Sequence, residues 1–551
     1  HRLMTELLLG PVLRYVDATN AVIWVETGAA CEVEVLGATA PTFQVEGHHY
    51  GVVSVGDLEP GHTYEYEVAL DGERVWPLED SEFPASRIRT YADDLHPKIF
   101  FGSCRVAVPN DPPYTLTKDE DDEGREVDAL RAKALRMRHE DPDTWPDLLL
   151  WVGDQIYADE VSPETRKFIE GRRDTSEEPG EIALDFEEYT KLYYESWKDP
   201  VTRWLLSTVS SAMIFDDHDI HDDWNTSAAW VEAMRATDWW ATHIECGLMS
   251  YWIYQHVGNL SPAELREDGL LGRLQKLTDG SKVLRQYARG SDREAFYSRW
   301  SYYRDIGRTR LVVIDSRCGR VLEEGKRSML DEDEWQWVED HATGGFDHLL
   351  IATSVPWLLA PAMHHLEAWN EAVCGGAWGG QAAQIGEKIR QAVDLEHWPA
   401  FQESFERLAH IQRAVGAGER GAAPATIVTL SGDVHHAYLS EVAFPRDAGV
   451  LSAVYQAVCS PMRNPLDARE RRAIKSMFTR PVLAVTRALS RAAGGEDPSV
   501  RWRPVGGGPW FDNQVATLEI DGRRMSFSIE RARRSDDGEP VVECVQENSL
   551  S

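Results

Sequence analysis

Leu148-Leu149-Leu150-Trp151-Val152-Gly153-Asp154-Gln155-Ile156-Tyr157 is the stretch whose reading decides the fold. Five apolar residues follow one another without the alternation of a half-exposed strand. Such a strand is covered on both faces, as in the parallel sheet of an α/β layer structure. The run stops on Gly-Asp, with a tyrosine three residues later. In sheets of this kind, ligand-binding groups collect at the carboxyl ends of the strands. Working outward, the runs 99–101, 212–215, 311–314, 349–352, 426–430 and 453–458 are equally continuous, and helical stretches separate them. The late segments 514–520 and 525–530 alternate and are expected to close the sheet edge.

Residues 1–91 follow a different rhythm. Short alternating runs at 21–26 (AVIWVE), 31–36 (CEVEVL), 50–55 (YGVVSV) and 64–70 (YEYEVAL) are punctuated by Gly, Asp and Pro. They predict an N-terminal β-sandwich domain of the fibronectin-III/Ig-like kind. The stretch 58–66 (LEPGHTYEY) resembles the tyrosine-bearing corner of such domains. Residues 92–97 (ADDLHP) read as the linker, and 98–551 as the main domain, with a helical insertion at about 226–300. That insertion carries Trp230, Trp239, Trp240, Tyr251, Trp252 and Tyr254, a set more typical of a packed core than of a substrate box. At the chain start, His1-Arg2-Leu3 reads as a non-native remnant ahead of a natural Met4.

Composition narrows the function. The 551 residues hold 57 Lys+Arg against 92 Asp+Glu, a formal charge of −35. That excludes a long nucleic acid as partner and argues against docking on an anionic membrane. Hydrophobic residues at 42% and charged residues at 27% describe a globular chain. Seven scattered cysteines, an odd number, exclude a disulfide scaffold. No apolar run reaches the roughly 18 residues of a membrane span. A cytoplasmic location is favoured, with export left open, and the oligomeric state is undetermined. An anionic substrate would require a local reversal of sign, for which a metal centre is the usual device.

Four strand ends carry the chemistry. They are Gly102-Ser103-Cys104-Arg105, then Gly153-Asp154-Gln155-Ile156-Tyr157, then Asp216-Asp217-His218-Asp219 continuing to Asp222-Asp223-Trp224-Asn225, and finally Ser431-Gly432-Asp433-Val434-His435-His436. Taken singly, each has a bland reading: a turn, a packed thiol, a hydrogen-bonded histidine. Four metal-ligand clusters on one sheet edge are not a folding requirement, because buried carboxylates cost several kcal/mol unless compensated. Together the motifs resemble the PhoD-like alkaline phosphatase branch of the calcineurin-like metallophosphoesterases, which writes them Ser-Cys, Gly-Asp-x-x-Tyr, Asp-Asp-His-Glu and Gly-Asp-Val-His. Two departures stand out: Asp219 where Glu is commoner, and Arg105 where Gln is common.

The resemblance implies an α/β (α+β) metallophosphatase sandwich behind an N-terminal β-sandwich domain. It also implies a phosphoester hydrolase acting on small phosphomonoesters or phosphodiesters. Cys104, Asp154, Tyr157 and His435 match the ligands of a first metal, and Asp154, Asp217 and Asp433 those of a second. Iron(III) with calcium is implied, while the residues alone leave Mn²⁺, Mg²⁺ and Zn²⁺ open. A metal-held hydroxide or oxide would be the nucleophile. His218 would act near the leaving group, and Arg105 and Arg317 would contact phosphate as catalytic residues. Asn225 and His436 are weaker substrate-binding candidates. The rival readings are a phospholipase D-like phosphodiesterase and a binding module with a relict metal site. Finally, 463–491 is basic, and 466–493 predicts a basic amphipathic helix, either packed on the acidic body or moving as a lid.

Overall fold

Two sheets stand face to face, and the continuous apolar runs are their strands. The first has the spatial order Ser210–Ile214, Leu148–Val152, Lys98–Gly102, Gln514–Asp521, Arg524–Arg533 and Val541–Ser549. Its first three strands are parallel, and Gln514–Asp521 pairs antiparallel with Lys98–Gly102. The late alternating segments therefore lie inside the sheet, and the edge belongs to Val541–Ser549. The second sheet runs Tyr302–Ile306, Thr309–Ile314, His348–Thr353, Thr426–Ser431, Ala453–Val458, Ala437–Ala443 and Arg501–Trp510. The four strands from Thr309–Ile314 to Ala453–Val458 are parallel. This computed structural model describes residues 5–294 and 297–551; the expected start at Met4 lies outside them.

The period of two along a strand explains why these runs are apolar throughout. Leu311, Val313, Leu350, Ala352, Val428 and Leu430 point into the space between the sheets. Their neighbours Val312, Ile314, Leu349, Ile351 and Ile427 point the other way, into a second core. Helices Glu332–His341 and Gln402–Gly416 cover that outer core with Trp335, Phe405 and Leu408. Nearly every position is buried, so apolar residues fill both faces, with Thr429 the polar exception inside Thr426–Ser431.

The N-terminal segment forms two four-stranded antiparallel sheets and one two-stranded ribbon. Gly51 shows how closely the two larger sheets meet. A Cβ there would sit 2.8 Å from a Val33 methyl on the facing sheet. The expected corner is present, with the Glu59 N–H donating to the Tyr64 hydroxyl at 2.9 Å. The same apolar cluster that fills this layer continues into the space between the main sheets. Arg14, fully buried, crosses the junction. It donates to the carbonyls of Gln255 at 2.7 Å and Tyr254 at 3.2 Å in a π-helical turn, and to Asn259 Oδ1 at 2.9 Å. Burial and the nearby Arg304 push Arg14 down to about 9.

The stretch 226–294 is helical as expected. Trp230, Trp240, Tyr251, Trp252 and Tyr254 are buried in the shared core, while Trp239 is half-buried. The predicted basic helix is two helices, Ala468–Met477 and Arg480–Ala492. Arg463 is apart from both, buried, with its donors spent on the carbonyls of Glu126, Val108 and Pro109. Among the described residues, no helix is long and apolar enough to cross a membrane. All seven cysteines are free thiols.

Candidate metal centre

Strands from both sheets end at one place, and backbone shape lets them meet. Gly432 follows Thr426–Ser431; a Cβ there would press into Ser103 from the other sheet, 2.5 Å from its Cβ. Gly153 has φ +111°, and a Cβ there would meet that of Asp216 at 2.5 Å. Cys104, Asp154, Asp433 and His435 hold φ of 57°, 52°, 70° and 53°. Non-glycine residues avoid this left-handed region at a cost of about 1–2 kcal/mol each, so four together mark an over-determined site.

Asp219 supplies much of that determination. Its carboxylate accepts the N–H groups of Asp154 and Asp216 at 2.9 Å each and of Gln155 at 3.1 Å. It is a buried cradle under the Asp154 loop, which accounts for an acid at this position in either length. Burial pushes it up to about 7, although these N–H groups pull the other way.

Three groups of ligand-type atoms result, each within 4.8 Å of one another. One joins Cys104, Asp154 and His435; another joins Asp154, Asp216, Asp217 and Asp433; a third joins Asp217, His218 and Asp222. Asp154 belongs to the first two. The Cys104 thiol lies 3.4 Å from Asp154 Oδ2. Asp154 Oδ1, Asp216 Oδ2, Asp217 Oδ1 and the Tyr157 hydroxyl are buried without a hydrogen-bond partner. Buried polar atoms are otherwise nearly always paired, so four orphans at one point call for a missing cation. Thiol, phenol, imidazole and carboxylate are all metal-ligand types, and the donor set fits.

Charge leads to the same conclusion. Arg317 is fully buried, with Nε 2.6 Å from Asp216 and its two Nη atoms on Glu396 at 2.6 and 2.9 Å. It lies 3.6 Å from Asp217 and 3.8 Å from Asp433. His397 bridges Asp433 at 2.7 Å and Glu367 at 2.9 Å. Five carboxylates, those of Asp154, Asp216, Asp217, Asp433 and Glu396, thus crowd around the Arg317 guanidinium and the His397 imidazole, with His218 and Arg320 as further nearby cations. Burial first, then Asp216 and Asp217, lifts Asp154 well above the usual carboxylate range. Burial, then Asp154 and Asp433, lifts the Cys104 thiol. Burial, with His218 and Lys118 as nearby cations, pushes His435 down to about 4.

The remaining sequence candidates divide. His218 stands beside the cluster, with Nδ1 2.9 Å from Asp159 and Nε2 3.7 Å from Asp222. Burial opposes its charge, but Asp159 and Asp217 outweigh this and hold it well above the ordinary imidazole range. Arg105 turns away. Its guanidinium binds Asp128 at 2.7 Å, the Ser196 carbonyl at 2.7 Å and the Thr202 hydroxyl at 3.2 Å, while Asp128 also caps helix Ala129–Met137. Arg317 faces the carboxylates, with four of its five N–H groups hydrogen-bonded to Asp216, Glu396 and the Trp224 carbonyl. Asn225 donates to the Arg317 carbonyl at 2.9 Å. His436 bonds the Val434 carbonyl at 2.6 Å and packs on Tyr438 and Phe511. Sequence reading passed over Asp216, Asp159, Glu396-His397 and Glu367. Only Asp216, inside a quoted motif, carried a signal.

A cavity of about 560 Å³ opens beside Tyr157, lined also by Gln155, Asp159, Lys118 and Asn464. A larger cleft of about 850 Å³ lies at Lys98 and Glu519, the far end of the strand that leads to Cys104.

Residues 132–266 match the family model described as PhoD-like phosphatase. Over this segment the chain is similar to PhoD-like phosphatases. The match takes in Asp154, Tyr157, Asp217 and His218 and ends before Arg317, Asp433 and His435. Residues 4–88 match a domain of unknown function, DUF7800. No curated protein sequence matches the chain significantly. Among solved structures, one of PhoD aligns over 100% of this chain and 93% of its own, at 12% identity and a TM-score of 0.56. Purple acid phosphatase PPD1 from yellow lupin (Lupinus luteus) seeds aligns over 98% of this chain and 74% of its own, at 12% identity and a TM-score of 0.48. The chain therefore shares the fold of the PhoD structure, an α/β body behind an all-β N-terminal layer.

Proposed function

We propose that the protein is a metal-dependent hydrolase of small phosphate esters. The observation that carries this reading is the convergence of four orphaned, buried ligand atoms on Asp154, Asp216, Asp217 and Tyr157. Cys104, Asp154, Tyr157 and His435 would hold one ion. Asp154, Asp217 and Asp433 would hold a second, with Asp216 beside them. Thiolate and phenolate favour iron(III) at the first position, and oxygen donors favour calcium at the second. When bound, such ions lower the pKa of water and polarise the phosphoryl oxygens.

The protein's own groups account for the rest. Arg317 and His397 hold Asp216, Asp217 and Asp433 in place. Asp159 fixes Nδ1 of His218, which leaves Nε2 to deliver a proton to the leaving-group oxygen. The cavity beside Tyr157 has room for a small ester.

The test is elemental analysis together with hydrolysis of p-nitrophenyl phosphate and its bis-ester. About one iron per chain and turnover of at least one ester are expected. Asp154→Ala should abolish both. Full turnover in that variant, or an active protein holding only zinc, overturns the respective part of the assignment.

A further inference from the structure

Free positive charge is scarce around this cluster. Arg105 is spent on Asp128, Ser196 and Thr202. Arg317 is spent on Asp216 and Glu396, and His397 on Asp433 and Glu367. Arg463 is spent on backbone carbonyls. A phosphate dianion approaching the site meets none of these as an open donor.

Lys118 is different. It is half-buried in the wall of the cavity that Tyr157 and Asp159 also line. Among the described residues its ammonium has neither a hydrogen bond nor an ion pair, in a chain of charge −35. Glu160, Asp467 and Glu470 act on Lys118 only from a distance. Burying part of an unpaired ammonium opposes folding, and nothing in the packing repays it.

The loop that carries Lys118 is pinned. Glu120 and Asp121 donate to the Thr117 carbonyl at 3.1 Å each, Arg125 to that of Tyr114 at 2.8 Å, and Glu126 to that of Leu116 at 3.0 Å. Gly124 packs so tightly on the Leu116 and Thr117 carbonyls that a Cβ would not fit. Arg463 clamps the approach to this loop at Val108 and Asn110. Lys118 is thus presented at a fixed place.

We propose that Lys118 is a substrate-binding residue whose ammonium takes the non-bridging oxygens of a phosphomonoester dianion, so that the site favours monoesters over the singly charged diesters. The inference rests on the phosphoester-hydrolase reading above and deepens it by naming the substrate class. An ammonium acts on phosphate as a point charge, so its contribution grows with the charge of the ester.

The experiment uses the full, metal-loaded chain with Lys118→Met and Lys118→Arg. Binding of inorganic phosphate is measured by calorimetry, and kcat/KM is measured for p-nitrophenyl phosphate and its bis-ester. Lys118→Met should weaken phosphate binding and lower monoester kcat/KM by about tenfold or more. Diester turnover should change less than about threefold, and Lys118→Arg should restore most of the loss because any cation serves. Metal content should stay constant and Tm should not fall, since Lys118 holds nothing in place. Equal losses on both esters, or no loss on either, overturn the proposal while leaving the hydrolase reading intact. A wild-type protein that binds phosphate but hydrolyses neither ester overturns the hydrolase reading, and the phosphate affinities then decide Lys118. A wild-type protein that binds no phosphate and hydrolyses neither ester overturns both.

Discussion

Replacing Arg317 by methionine removes the one guanidinium that balances Asp216 and Glu396 while keeping most of the side-chain length. Three short charge-assisted contacts disappear, all in a region closed to solvent. Stranding a buried charge in this way costs about 3–5 kcal/mol. An unfolding entropy of about 2.1 cal/mol/K per residue over 551 residues is about 1.2 kcal/mol/K. The metal-free variant should therefore melt about 3–4 °C below wild type, if the chain unfolds as one unit. The sign with pH is also set. Burial pushes Glu396 up, but Arg317 outweighs burial and holds it below the usual carboxylate range. A depressed carboxylate contributes stability that is present above the ordinary carboxylate pKa and lost as pH falls. Without Arg317, burial and Asp433 act against Arg320 alone, so Glu396 takes a proton instead of remaining a bare charge. The gap between wild type and Arg317→Met should thus narrow from pH 8 to pH 5. Calorimetric scans of metal-free protein across that range measure it. A melting difference below about 1 °C at pH 8, or a gap that widens on acidification, refutes the electrostatic account of Arg317.

Glu530 sits between Lys133 at 2.7 Å and Arg136, joining helix Ala129–Met137 to strand Arg524–Arg533. Burial raises it, yet these two cations hold it down at about 2 from an ordinary 4.5, which corresponds to about 3 kcal/mol. Glu530→Gln should lose about that much in urea unfolding at pH 7, with the deficit fading as pH falls from 4.5 toward 2; a pH-independent deficit contradicts this. Gly432→Ala should force the Ser103 loop away and lower both metal content and turnover. Adding Ser103→Gly should recover part of each, and failure of that rescue would show that the two loops do not compete for one space.

Much of the fold was legible because double-sided burial leaves a plain mark. Leu148–Val152 has no polar position to spare, and its neighbours in both sheets read the same way. The edge was misjudged for a related reason: Gln514–Asp521 alternates as an exposed strand would, yet it lies beside Lys98–Gly102 with Val541–Ser549 outside it. Alternation reports one polar face and says nothing of how many strands lie beyond. In the site, Cys104, Asp154, Asp217, Asp433 and His435 were legible because each follows directly from the end of a buried strand. Asp159, Glu367 and Glu396 were not, since they lie on loops and helices whose route back to the cluster has no local pattern.

Residue order alone determined which segments are strands, which ends of them carry ligand-type side chains, and which residues those are. Burial and backbone periodicity are local properties, and they are written locally. Only the tertiary structure decided where the charged heads point. Arg105 follows Cys104 in the chain, yet it is drawn to Asp128, Ser196 and Thr202, up to 97 residues away. Arg317 is held by Asp216 and Glu396, 101 and 79 residues away. Lys118 stands free in the cavity wall because the folded chain brings it no partner. A long flexible side chain takes its direction from the strongest desolvated charge within reach, and that charge arrives only when distant segments pack together.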